Sequence, residues 1–138
     1  MPTGERHVQS NDGCRSFGAV MLTASASGRA IADELQGQFV LVAELEIDPA
    51  QLENFKAAAK EDGETAVRVE PRCLAFNVVY DKDNPGHIRF IEIYTDADAF
   101  KAHLETAHFK KYAATTKDMV KSRKRIDSVP MVLLVKGK

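Results

Sequence analysis

The 138-residue sequence has no tryptophan and only two cysteines, Cys14 and Cys73. Two cysteines cannot form a disulfide framework, and no C-x-x-C spacing indicates a zinc or thiol redox site. We therefore expect reduced thiols and a cytoplasmic protein. The absence of tryptophan removes one common side chain for stacking or for binding cations.

Long apolar runs and an excess of one charge are also missing. No apolar run approaches the ~20 residues that a membrane-spanning helix needs. Lys and Arg total 19, and Asp and Glu total 20, so the formal net charge is −1. A balanced chain has no overall field that would draw it to nucleic acid or to an anionic membrane. We expect neither as a partner.

The hydrophobic fraction, 44%, is sufficient for one core, and the length corresponds to about one domain. We place this domain at residues 38–138 and an N-terminal extension at residues 1–37, where Gly, Ser, Asn and Asp occur without a sustained period. An apolar stretch at 17–22, followed by the sequence TASAS, resembles the end of a signal peptide. Its short length and the acids before it favour the alternative, an arm that packs on the domain or on a partner subunit.

The domain shows strand and helix patterns in the order β-α-β-β-α-β. Apolar positions that alternate or run continuously predict strands over residues 39–47, 72–80, 87–94 and 128–136. Asp48-Pro49 and Thr95-Asp96 are signals for helix N-termini, and apolar residues at helical spacing follow each of them. We expect Gly63 to interrupt or end the first helix, and we expect a second break near Glu105.

This element order predicts an α+β, ferredoxin-like fold with an antiparallel sheet. Helices cover one face of such a sheet, and the other face is apolar in this sequence, so it needs a cover. A second copy of the chain is the simplest cover. We therefore expect a homodimer.

Basic residues are concentrated at 110–125, which hold seven bases and one acid. One interpretation is a patch that binds nucleic acid or phosphate. The alternative is a solvated helix face, which could attract the acidic segment 44–70 of a neighbouring molecule. No Gly-rich loop or aromatic platform accompanies these bases, so we favour the solvated face.

The candidates for chemistry lie on the third strand and on the helices after it. Glu92 and Tyr94 share a strand face with apolar residues by alternation, and burying a carboxylate and a phenol there requires polar partners. His103, on the next helix, is the nearest candidate partner. An imidazole against a carboxylate can accept and release protons near neutral pH. The alternative is that Glu92 and His103 only satisfy each other in an apolar core.

His108 lies five residues after His103, and Cys73 lies in a predicted strand. On one continuous helix the two imidazoles would be about 140° apart, so they could not bind one metal ion as an i, i+4 pair does. A shared site would need a break in the helix between them, and we expect no metal site. Cys73 is expected to be an inert core residue.

Three stretches carry a family resemblance: residues 70–80 (EPRCLAFNVVY), 90–96 (FIEIYTD) and 99–109 (AFKAHLETAHF). Together they resemble the antibiotic biosynthesis monooxygenase family, including its quinol monooxygenase-like members. The family pattern is roughly E-P-G-C-L-x-Y, then E-x-W/Y-x-D, then A-H-x-x-S/T-x-H-F. The likeness covers about residues 38–136 and implies a ferredoxin-like unit that pairs into a dimeric α/β barrel.

The resemblance also implies a pocket between the sheet and the helices, lined by Phe76, Glu92, Tyr94 and His103. Several family members oxidise phenols or quinols with molecular oxygen and without flavin, metal or haem. It therefore implies a small aromatic substrate, oxygen as co-substrate and no cofactor. In this scheme the catalytic residues are His103 as the base, Glu92 to orient it and Tyr94 to donate a hydrogen bond. The residues expected to contact the substrate are Phe76, Phe90, Phe100 and His108.

The sequence departs from the family pattern at several positions. Arg72 replaces the Gly of E-P-G-C, and Tyr94 and Ala43-Glu44 stand where haem-degrading relatives carry Trp and Asn, so haem degradation is not expected. The fold is also shared with isomerases of small sugars and with proteins of no demonstrated activity. Two alternatives therefore stand beside the monooxygenase: a non-redox isomerase using the same pocket, and a non-catalytic small-molecule-binding or stress-response barrel.

Overall fold

The computed structural model describes residues 37–137, which form a four-stranded sheet with three α-helices. The strands are β1 (Phe39–Ile47), β2 (Cys73–Asp81), β3 (Asn84–Tyr94) and β4 (Val120–Ser128). The helices are α1 (Leu52–Val69), α2 (Ala97–Leu104) and α3 (Ala107–Thr116), and a 3-10 turn at Pro49–Gln51 precedes α1. The sheet order is β2-β3-β1-β4 with every pair antiparallel, so the predicted ferredoxin-like fold is confirmed. Except for Gly37, the predicted N-terminal extension lies outside the described residues.

Side chains on one face of the sheet and on the inner stripes of the helices form the core. Phe55 of α1 is fully buried, and its ring packs edge-on against Phe90 of β3 and Tyr112 of α3, with centroids 6.2 and 6.0 Å apart. Burying a ring of this size stabilises the fold by about 2–3 kcal/mol. β1 contributes Leu41 and Leu45 to the same face, as its alternation predicts. This packing fixes the distance between the helices and the sheet, and the candidate site lies between them.

Helix α1 continues through Gly63, so the expected interruption there is wrong. The predicted cap is present on the preceding 3-10 turn, where Asp48 Oδ1 accepts a hydrogen bond from the Ala50 backbone N–H at 3.0 Å, and α1 itself begins at Leu52 without a side-chain cap. Gly63 is buried, and a Cβ atom at this position would lie 2.6 Å from Cδ1 of Phe76 on β2. Glycine therefore serves a close approach between helix and strand, and the tertiary contacts outweigh its low helix propensity.

The break predicted near Glu105 is confirmed, and it separates α2 from α3. Asp96 Oδ1 accepts from the Ala99 N–H at 2.7 Å at the start of α2. Thr106 Oγ1 accepts from the Phe109 N–H at 3.3 Å at the start of α3. Two independent N-caps therefore allow the chain to change direction between His103 and His108.

The last strand lies earlier than predicted, at Val120–Ser128 instead of 128–136. The basic segment 121–125 is therefore an edge strand and not a helix face. Its pairing with β1 places Lys124 opposite Glu44, an opposite-charge pair that stabilises this register. Residues 129–137 have no helix or strand, and their exposed apolar side chains include Val129, Met131, Leu134 and Val135.

The sheet face that points away from the helices carries apolar side chains from all four strands. They are Val40, Val42, Val79, Ile91, Ile93 and Ile126. Val79 and Ile126 are 46% and 40% exposed, and no helix of residues 37–137 packs on this face. Within the same residues, no helix has the length and apolar character needed to cross a membrane.

Candidate functional site

A cavity of about 110 Å³ lies between the helices and the helix-facing side of β1, β3 and β4. Its apolar wall is formed mainly by Leu41, Leu45, Phe90, Phe100, Phe109 and Tyr112, and its polar side chains are Asp62, Glu92, His103, Arg123 and Arg125. An apolar cavity of about 150 Å³ is known to hold benzene. This cavity is somewhat smaller and is open on one side, where the two exposed arginines border it at the edge strand, so a guest in it is at most one small ring.

His103 projects from α2 into the protein and is 1% exposed. Its Nδ1 lies 2.7 Å from Oε1 of Glu70, the residue that ends α1. The hydroxyl of Thr106 donates to the His103 backbone oxygen at 2.7 Å, which holds this end of α2. A carboxylate oxygen accepts hydrogen bonds, so this contact places a proton on Nδ1 and leaves the Nε2 lone pair free.

The expected pairing of His103 with Glu92 is wrong. Oε2 of Glu92 instead accepts a hydrogen bond from the Tyr94 hydroxyl at 2.6 Å. The two residues are i and i+2 on β3, so they lie on one face and satisfy each other, while Glu70 reaches His103 from the end of α1. Glu92 still lines the cavity, but Tyr94 does not, and the Tyr94 hydroxyl already uses its hydrogen in the bond to Glu92.

Burial controls the protonation of this pair. It raises the pKa of the Glu92 carboxyl to about 7, and the hydrogen bond from Tyr94 offsets only part of that effect. Burial, followed by the neighbouring Glu92, raises the pKa of the Tyr94 phenol well above its usual range. Tyr94 is therefore a neutral donor, and Glu92 can exchange a proton near neutral pH.

The structure brings only some of the expected substrate contacts to the cavity. Phe90 and Phe100 line it, together with the expected base His103. Phe76 lies outside, between α1 and β2, although its ring centroid is 6.0 Å from that of His103. His108 lies at an outer groove between α1 and α3, and its Nε2 is 2.5 Å from Oε1 of Glu70.

Four residues at the site were given no role in the sequence analysis: Asp62, Glu70, Arg123 and Arg125. Asp62 continues the buried stripe of α1 after Phe55 and Ala59, and a charged residue on an apolar stripe is itself a signal of function. The arginines were missed because the last strand was placed too late. With β4 at 120–128, strand alternation directs both of them toward the helices.

Asp62 is 2% exposed and stands between the two histidines. Its Oδ2 is 3.8 Å from His103 Nε2, and its Oδ1 is 4.0 Å from His108 Nε2. Both distances are too long for a hydrogen bond. Burial raises the pKa of this carboxyl, and the nearby histidines oppose that effect. Asp62, His103 and His108 form a cluster whose ligand atoms lie within 4.8 Å of one another. Among residues 37–137, this cluster could hold a metal ion.

Residues 38–115 match the family model described as antibiotic biosynthesis monooxygenase. No curated protein has a significant match to the sequence. Among solved structures, a protein of Bacteroides thetaiotaomicron named for this family is 38% identical, with a TM-score of 0.71. The match covers 75% of this chain and 99% of that one.

Two further structures named for the same family are similar to the chain. The one from Nitrosomonas europaea is 25% identical, with a TM-score of 0.65, and the match covers 68% of this chain and 99% of that one. The one from Caulobacter crescentus is 23% identical, with a TM-score of 0.66, and the match covers 75% and 99%. The Caulobacter likeness supports the fold alone.

Proposed function

The chain belongs to the antibiotic biosynthesis monooxygenase family, and from this premise we propose that it oxidises a small single-ring phenol or quinol with molecular oxygen. The reaction as proposed needs no cofactor, because an electron-rich phenolate can itself reduce oxygen. One oxygen atom enters the ring and the other leaves as water, while the ring loses two hydrogen atoms. A phenol thereby becomes a quinone.

The observation that carries the proposal is the Glu70–His103 pair at the edge of the cavity. Glu70 holds the proton on Nδ1, so Nε2 can accept a proton, as in the carboxylate–imidazole pairs of other enzymes. The His103 side chain also lines the cavity, so a ring placed there has a base beside it. His103 is thus the proposed catalytic base, and Glu70 takes the orienting role that was expected for Glu92.

The remaining polar groups suit the charge that the reaction creates. Arg123 and Arg125 border the cavity from β4 and would attract a phenolate and a product anion. The Arg125 guanidinium lies 4.6 Å from the centre of the Phe100 ring and is held by two hydrogen bonds to Asp127. Glu92 is the second group in the cavity able to exchange a proton. A ring that fills the space beside the apolar wall would displace water there and so strengthen each of these interactions.

The test is oxygen uptake by metal-stripped protein with a panel of single-ring phenols and hydroquinones. We expect one oxygen molecule consumed per quinone formed, and one labelled atom in the product when ¹⁸O₂ is supplied to a phenol. The same mixtures should form no product without oxygen. Product formed anaerobically would contradict the proposal in favour of the isomerase, and a bound ligand recovered intact under air would favour the binding protein.

We also propose that the chain works as a homodimer through the open face of the sheet. A second copy of the chain would cover the exposed apolar side chains on that face and on residues 129–137. Light scattering should give about twice the chain mass of 15.2 kDa. Ile91→Asp, on the open face, should shift the mass to that of one chain, whereas Val67→Asp, on the exposed side of α1, should not. A wild-type monomer at micromolar concentration would contradict this proposal.

A further inference from the structure

Asp62, His103 and His108 bring one carboxylate and two imidazoles close together, and both imidazoles also contact Glu70. Two ligands bound about 2.1 Å from one ion are at most about 4.2 Å apart. Asp62 Oδ2 is 3.8 Å from His103 Nε2, and Asp62 Oδ1 is 4.0 Å from His108 Nε2, so both spacings are within this limit. One ligand atom from each residue lies within 4.8 Å of the other two, so a modest inward movement of the side chains would bring all three to one ion.

The Asp62 carboxylate also lacks a partner that would explain its burial. Its Oδ1 is buried without a hydrogen bond, and leaving such an acceptor unpaired destabilises the fold. Within residues 37–137, neither Asp62 nor Glu70 forms an ion pair with a lysine or an arginine. The side chains that face the two carboxylates are the imidazoles of His103 and His108, and a divalent cation would bind both groups.

We propose that Asp62, His103 and His108 bind one divalent first-row transition-metal ion, with Zn²⁺ as the representative. One carboxylate and two imidazoles are a ligand set that such ions favour. Glu70 supplies the outer support: it accepts the Nδ1–H of His103 and so aims Nε2 at the ion, an arrangement usual for metal-bound histidine. His108, on the first turn of α3, exchanges its contact with Glu70 for a bond to the ion.

The site has a route to solvent that does not cross the cavity. Asp62 and His108 line the outer groove between α1 and α3, which has a volume of about 430 Å³. Asp62 also lines the inner cavity beside His103. The ion would therefore lie between the groove and the cavity. It would bind His103 Nε2, the atom that the proposed reaction uses as a base. Inhibition by the metal rests on the proposed function, whereas metal binding does not.

The binding test uses the full chain after metal removal. Calorimetric titration with Zn²⁺ should show one site that involves these residues, and Co²⁺ should give the visible absorption of a low-coordinate nitrogen and oxygen site. Asp62→Asn and His108→Gln should each weaken Zn²⁺ binding at least ~10-fold. His87→Gln, whose imidazole faces Asp81 away from the site, should leave the affinity unchanged. Circular dichroism of each variant checks the fold, and either site variant suffices if the other does not fold.

Equal Zn²⁺ affinity in the wild type and in a folded site variant would overturn this inference, as would Co²⁺ spectra that do not change on mixing. The activity measurement is separate. Zn²⁺ at one equivalent should suppress oxygen uptake of the wild type, and a chelator should restore it. Metal-free protein that binds Zn²⁺ but never consumes oxygen would remove the proposed function and support the metal site.

Discussion

Replacing His103 with Ala is expected to lower oxygen uptake at saturating phenol at least ~100-fold, because the variant has no base to take the phenol proton. General-base catalysis by a positioned side chain contributes about 10²–10⁴-fold. The imidazole that is lost is the one whose Nδ1 is held by Glu70 and whose ring lines the cavity. The measurement is the turnover rate in an oxygen electrode, with the folded state of the variant checked by its thermal unfolding.

Two comparisons separate catalysis from a structural role of His103. Free imidazole added to the His103→Ala protein should restore part of the turnover, since the deleted ring leaves space for it beside the cavity. Glu70→Gln retains an oxygen that accepts the Nδ1–H, so it should keep more activity than His103→Ala. Unchanged turnover in His103→Ala would remove this residue from the mechanism.

Replacing Glu92 with Gln is expected to increase the free energy of unfolding at pH 8 by up to about 3 kcal/mol. Burial raises the pKa of this carboxyl to about 7, compared with an ordinary value of 4.5. The ionised side chain is therefore less stable in the folded protein than in the unfolded chain. Gln is neutral at every pH and still offers an oxygen to the Tyr94 hydroxyl, so it removes the cost of ionisation, although its amide N–H groups must also be accommodated.

The sign of the pH dependence follows from the raised pKa. The folded protein favours the protonated form of Glu92. Its contribution to the free energy of unfolding is therefore fully present below about pH 4.5 and is lost as the pH rises through about 7. Urea unfolding of the wild type and Glu92→Gln should therefore give similar free energies at pH 4 and diverge by pH 8. The matched substitution Glu53→Gln, in an exposed pair on α1, should have a small effect at both pH values. A gap between wild type and Glu92→Gln that is the same at pH 4 and 8 would contradict the assignment.

The parts of the fold that follow local rules could be predicted from the sequence. Strand alternation placed Glu92 and Tyr94 on one face, and capping residues placed the starts of the helices. The break between α2 and α3 was visible in the same way, because Thr106 is an N-cap followed by a new apolar stripe. Each of these features depends on residues within a few positions of each other.

The parts that failed depend on contacts between distant segments. The last strand was placed at 128–136 because the apolar residues lie there, whereas the pairing of the basic segment with β1 decides where β4 forms. Gly63 was taken for a helix end, although its small size serves a contact with Phe76, 13 residues later. In the same way, the partner of His103 is Glu70, 33 residues earlier, and no local pattern indicates that contact.

The break between α2 and α3 lets two histidines approach the same carboxylate. His103 and His108 cannot share a ligand on one continuous helix, but two separately capped helices turn both rings toward Asp62. The same histidine can then serve as a base when the site holds no ion and as a ligand when it does. Proton transfer and metal binding thus compete for one nitrogen atom.

The most direct test of the account is the protonation state of a phenol bound without oxygen. A phenol with a pKa of about 10 is neutral in solution at pH 7. Its ultraviolet difference spectrum on mixing with metal-free protein shows whether His103 has taken its proton. We expect a phenolate band with the wild type and with His87→Gln, and none with His103→Ala. A bound phenol that stays neutral in the wild type, or the same phenolate band in His103→Ala, would contradict the account.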